Sequence, residues 1–119
     1  MMNSLTATRQ LNDEKNKLVV LYKTKQIEPS SDKHAFFYEV KEQTTPIFAA
    51  VDEWEKIINE AIKDQSLKLH PSLVAQTKEN FELIIMHSYY HDVDEKRYQE
   101  LIKSIDYVLD IIEQEMEAY

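Results

Sequence analysis

Glycine is missing altogether from this 119-residue chain, although average usage near 7% would supply about eight. The loops that cradle phosphate in P-loop and dinucleotide-binding folds need glycine so that the backbone can approach the ligand, and a nucleophile elbow needs it to turn sharply. Neither is expected here. Tight hairpins also favour glycine at positive φ, which argues against a strand-rich fold. Cysteine is absent too, which removes disulfides, thiolate nucleophiles and Cys-type zinc or iron–sulfur sites and fits a reducing compartment. No apolar run approaches the roughly 20 residues of a membrane span. The opening "MMNSLTATRQ" carries no apolar signal core. A cytoplasmic protein without a membrane partner is expected. Bases are in deficit: 14 Lys and Arg against 22 Asp and Glu leave a net charge of −8. That charge repels a phosphate backbone, so nucleic acid is not an expected partner. The deficit is uneven, with six bases and four acids in residues 1–34 but eight and eighteen in 35–119.

At this length a single domain, residues 1–119, can bury one core without a metal or disulfide staple. Projection at 100° per residue gives four apolar stripes. The first, about Ser4 to Lys25, aligns Leu5, Leu11, Leu18, Val19 and Tyr22, with Asn3 or Ser4 available as N-cap. Lys15 falls inside that stripe, where a four-carbon stem is expected to snorkel to water rather than leave a buried, pKa-shifted amine. "QIEPSSDK", residues 26–33, reads as a loop ending in the cap residue Asp32. The longest segment, about Lys33 to Asp64, spaces Phe36, Val40, Ile47, Val51, Trp54 and Ile58 at helical intervals on both sides of Pro46. Because the stripe keeps its phase across the proline, one helix kinked near Glu42–Thr45 is expected rather than two. Pro71 is placed to open a third helix. It runs to about Tyr90, with Leu73, Val74, Thr77, Phe81, Ile84, Ile85 and Ser88 inward. Asp94 can cap a fourth, whose wide face runs from Tyr98 through Leu101, Ile105, Leu109 and Ile112 to Met116. With short second and third links, the economical packing is an all-α, antiparallel up-down four-helix bundle.

Bundles of this kind often hold carboxylate-bridged di-iron, which requires paired Glu-x-x-His motifs; the chain has none. His87 and His91 stand four apart and could share a metal with Asp92 or His70 if the helix continued through His91. A histidine in a last turn is also favoured simply by the negative end of the helix dipole. Acid pairs such as Asp52 with Glu53, or Glu113 with Glu115, read as solvated helix faces. Phe36 and Phe37 diverge by about 100° around a helix and so suit core and groove packing rather than a ligand clamp. No catalytic, cofactor or metal residue is therefore assigned. A second, narrower apolar strip is more informative: Leu83, Met86 and Tyr90 on the third helix and Tyr107 and Ile111 on the fourth point away from the core. Such residues mark a protein partner or homodimer surface. The rival expectation is a small-ligand or metal-binding bundle using His70, His87, His91 and Tyr90.

The pieces "HAFFYEVKE", Trp54, "LKLHPSL", "TKENFELIIMHSYYHDVDEKRY" and "SIDYVLD", in that order and spacing over about residues 34–112, resemble the YppE-like family of small four-helix proteins of Gram-positive bacteria. The resemblance implies an up-down bundle in the cytoplasm of a Firmicute and carries no assigned activity, cofactor or catalytic residue. The family pattern has a Val-Lys-Pro-like stretch after Phe-Phe. Here Glu42 takes the place of that proline, and Pro46 follows later.

Overall fold

Each helix opens on a side chain that accepts an otherwise free N–H of the first turn. The computed structural model describes residues 2–24 and 32–117. Asn3 Oδ1 accepts the Thr6 N–H at 2.8 Å ahead of α1 (Ser4–Thr24). Asp32 accepts from the His34 and Ala35 N–H groups at 3.0 and 3.2 Å ahead of α2 (Lys33–Lys63). His70 Nδ1 accepts from the Ser72 N–H at 3.1 Å ahead of α3 (Pro71–Tyr90). Asp94 accepts from the Arg97 N–H at 2.8 Å ahead of α4 (Glu95–Glu117). The lack of glycine shows at two helix ends, where Gln65 (φ 66°) and His91 (φ 54°) take the left-handed conformation. Each conformation costs a residue with a Cβ roughly 1 kcal/mol. At the first end the Ser66 and Leu67 N–H groups reach back to the Ala61 carbonyl at 3.0 and 3.2 Å. α2 continues through Pro46 as a single helix, and just before it the Thr45 hydroxyl donates to the Lys41 carbonyl at 2.6 Å.

Contacts between helices set the direction of the chain. Trp54 Nε1 donates to Thr8 Oγ1 at 3.1 Å, placing late α2 beside early α1. Lys78 on α3 reaches Asp52 and Glu55 on α2 at 3.1 and 3.2 Å. Ser88 and Tyr98 meet at 2.7 Å across the α3–α4 turn. Arg9 reaches Glu113 at 3.0 Å, setting the start of α1 against the end of α4. The result is an antiparallel up-down four-helix bundle in which the backbones of α1 and α3 approach every other helix while, among the described residues, those of α2 and α4 stay apart. The cross-section is therefore a rhombus with α1 and α3 on its short diagonal. Trp54, Ile58, Phe81, Ile84, Tyr98 and Ile105 are all but inaccessible and form the centre.

Several expectations change once the helices are packed. Lys15 does not snorkel to water: it is 7% exposed and ion-pairs with Asp106, whose carboxylate is 40% exposed at the α1–α4 seam. α4 lies over that part of α1 and supplies a counter-charge where solvent was expected. Asp52, Glu113 and Glu115 are not merely solvated. Asp52 holds Lys78, Glu113 holds Arg9, and Glu115 accepts from the Lys68 backbone N–H at 2.7 Å. Val19, Ile47, Leu73 and Met116 are only half-buried at the bundle's edges, whereas Tyr89 is buried among the core residues.

Candidate functional site

α1 and α3 end where α2 and α4 begin, and aromatic side chains gather at that end of the bundle. The Tyr22 ring stacks on His91 with centroids 4.3 Å apart and on Tyr98 at 3.8 Å, both nearly parallel. Its hydroxyl donates to the Val93 carbonyl at 2.7 Å. Ser88 donates to the Ile84 carbonyl, so the 2.7 Å bond between Ser88 and Tyr98 is donated by the Tyr98 hydroxyl. His91 Nε2 lies 2.7 Å from the Tyr22 carbonyl; a carbonyl only accepts, so the imidazole carries its hydrogen there. These groups satisfy one another and hold the α3–α4 turn against α1.

Burial raises the Tyr22, Tyr89 and Tyr98 hydroxyls above the ordinary tyrosine value of 10.0. The Glu95 and Asp94 charges add to the effect at Tyr22. A folded-state pKa raised above the unfolded one means that the stabilisation is complete below the unfolded value and is lost as pH climbs past it. Absorbance at 295 nm should therefore show part of the tyrosine ionising only as the protein unfolds, at a pH above about 10. Smooth titration of all tyrosines in a still-folded chain would contradict this.

The histidines do not converge. His70 caps the start of α3 and His91 ends it, so 20 residues of helix put them about 30 Å apart. α3 stops at Tyr90, and His91 turns into the left-handed conformation to stack on Tyr22 instead of sharing a face with His87. His87 Nδ1 bonds to Asp92 at 2.7 Å. Among the described residues, no group of three His, Asp or Glu side chains is spaced to hold a metal. The ligand or metal arrangement of His70, His87, His91 and Tyr90 is thus corrected by helix length and by the early stop of α3.

The apolar strip also divides. Tyr90 packs edge-on against Phe36 at 5.5 Å, because α2 covers that side of α3. Leu83 likewise rests half-buried on the core, and Met86 is 36% exposed. On α4, Tyr107 is 63% exposed and Ile111 half-buried one turn later. Tyr107 stands at a groove of about 290 Å³ between α3 and α4, with Leu73, Thr77 and Val108 at its base and Gln76, Asn80 and Lys103 on its walls. No side chain lining it is a carboxylate. Helical periodicity located Tyr107 but not the groove, which takes residues from two helices. Phe37, expected with Phe36 in core and groove packing, is instead 52% exposed, and sequence reading missed Tyr38, exposed at 64%. The adjacent "FFY" offered the signal, since three consecutive aromatics cannot all face one core.

A family profile described as a bacterial domain of unknown function (DUF1798) matches residues 8–116, all four helices included. The chain belongs to the DUF1798 family. The crystal structure of the protein yppE from Bacillus subtilis superposes with a TM-score of 0.82 at 23% identity, covering 97% of this chain and 93% of that one. The YppE-like resemblance is thereby shown, and the fold with it. No curated protein matches this DUF1798 chain.

Proposed function

We propose that this DUF1798 chain is a cytoplasmic protein-interaction module without catalytic chemistry of its own, docking its partner on the α3/α4 groove around Tyr107. One observation carries the reading. A large aromatic side chain stands 63% exposed beside an apolar base. Its hydroxyl, and the polar ends of Gln76, Asn80, Lys103 and Ser104 around it, have no side-chain partner among the described residues. Tyrosine is enriched at docking surfaces because it offers a broad apolar body with a polar tip. The contrast with the interior supports the same reading. Among the described residues no buried side-chain nitrogen or oxygen lacks a hydrogen bond, so the interior polar groups are engaged with each other. The cytoplasmic setting rests on the lack of cysteine. Among the described residues, no helix is long and apolar enough to cross a membrane.

Tyr107→Glu combined with Ile111→Lys tests the docking face. Both positions lie off the core, so helicity should persist and stability should change by only about 0.5 kcal/mol. Self-association, or retention of a specific partner on the immobilised chain, should be lost. If the pair unfolds the protein, the strip is core; if binding survives unchanged, the docking face lies elsewhere.

A further inference from the structure

Lys103 and Asp110 identify the partner more closely, on the reading that the α3/α4 face is a docking surface. Both are exposed on α4, and neither has a hydrogen-bond or ion-pair partner among the described residues. Asp106, one turn beyond Lys103, is already engaged by Lys15, which leaves the Lys103 ammonium unmatched. At 100° per residue, Lys103 and Asp110 fall on the same flank of α4, about 20° apart and within about 60° of the Tyr107 meridian. At 1.5 Å per residue, Lys103 lies about 6 Å before Tyr107 along the helix and Asp110 about 4.5 Å after it.

We propose that the occupant of this face is a second copy of the chain, the two α4 helices packing antiparallel about a two-fold axis at Tyr107. Such an axis reverses height along the helix and preserves the flank. Lys103 of each copy therefore comes opposite Asp110 of the other, within about 1.5 Å in height, and the pair forms twice. Tyr107 meets its symmetry mate at the axis, and Ile111 is enclosed beside it. Parallel packing about an axis along the helices would instead keep the height and reverse the flank, so that no Lys103 meets an Asp110 of the other copy. The charge pattern around Tyr107 is thus self-complementary in one orientation only.

The long side of the molecule is large enough for such an interface. The molecule measures 51 × 30 × 21 Å, and its long side has room for the roughly 800 Å² per partner of a stable interface.

Size-exclusion chromatography with light scattering, followed by sedimentation equilibrium up to about 200 μM, tests the assignment. The chain should dimerise. Lys103→Glu and Asp110→Lys should each weaken the dimer by about tenfold or more, because each turns two attractions into two repulsions. The double variant, Lys103→Glu with Asp110→Lys, should return to within about threefold of the original affinity. Thermal melts of the three variants, all substituted at exposed positions, check that the fold is retained. A chain monomeric at the highest concentration, or a double variant no tighter than either single one, overturns the second copy as occupant. If the chain is monomeric yet holds another protein that the Tyr107→Glu and Ile111→Lys variant releases, the dimer falls and the docking face stands. If neither binding is seen, both fall.

Discussion

Trp54→Ala is expected to destabilise the bundle by about 4 kcal/mol, the range for deleting a large aromatic from a packed core. Trp54 is 1% exposed on α2, and its indole N–H is donated to Thr8, which is wholly buried on α1. The substitution therefore removes the largest central side chain and leaves a buried hydroxyl without its donor. Against a total stability of about 5–15 kcal/mol, this is a large fraction. The melting temperature should fall by roughly 15 °C. Thr8→Val isolates the polar part: it keeps the volume but leaves the indole N–H unpaired, at a cost of about 1–3 kcal/mol. Urea unfolding of both variants checks the pair of values. A Trp54→Ala protein that melts within a few degrees of the parent would mean that this part of the interior is loosely packed.

Asp106→Ala is expected to cost about 2 kcal/mol, whereas Lys15→Met should leave stability unchanged or raise it. Removing the acid strands a lysine that is only 7% exposed, without a counter-charge. Removing the lysine leaves a carboxylate 40% exposed, which water can solvate, and gives the α1–α4 seam an apolar chain of similar length. The half-exposure of Asp106 places the loss below the 3–5 kcal/mol of a fully enclosed pair. Equal destabilisation by both substitutions would contradict this account and show that the ion pair itself holds the seam.

Much of the bundle could be read before folding because helix formation and burial follow a local period. Val74, Phe81, Ile84 and Ile85 on α3, and Tyr98, Ile105 and Ile112 on α4, were expected inward and are buried. Asp32, Asp94 and Asn3 were expected as caps and accept first-turn N–H groups. Errors arose where a position on one helix depends on another helix. Lys15 could not be paired with Asp106 from periodicity, because they are 91 residues apart in sequence. Tyr90 looked misplaced because its cover, Phe36, comes from α2.

The candidate site divides along the same line. Spacing alone identified Tyr107 and Ile111 as residues off the main apolar face of α4, and the absence of glycine and cysteine limited the chemistry open to the chain. Only the tertiary structure dispersed the histidines, because α3 ends at Tyr90 and sets His70 and His91 at opposite ends of one helix. It alone made a groove by laying α3 beside α4, and left Lys103 unmatched by committing Asp106 to Lys15. Local sequence determines what each helix presents, since side-chain direction repeats every 3.6 residues. Which groups meet, and which remain without partners, depends on how the helices pack, since those contacts join residues far apart in the chain.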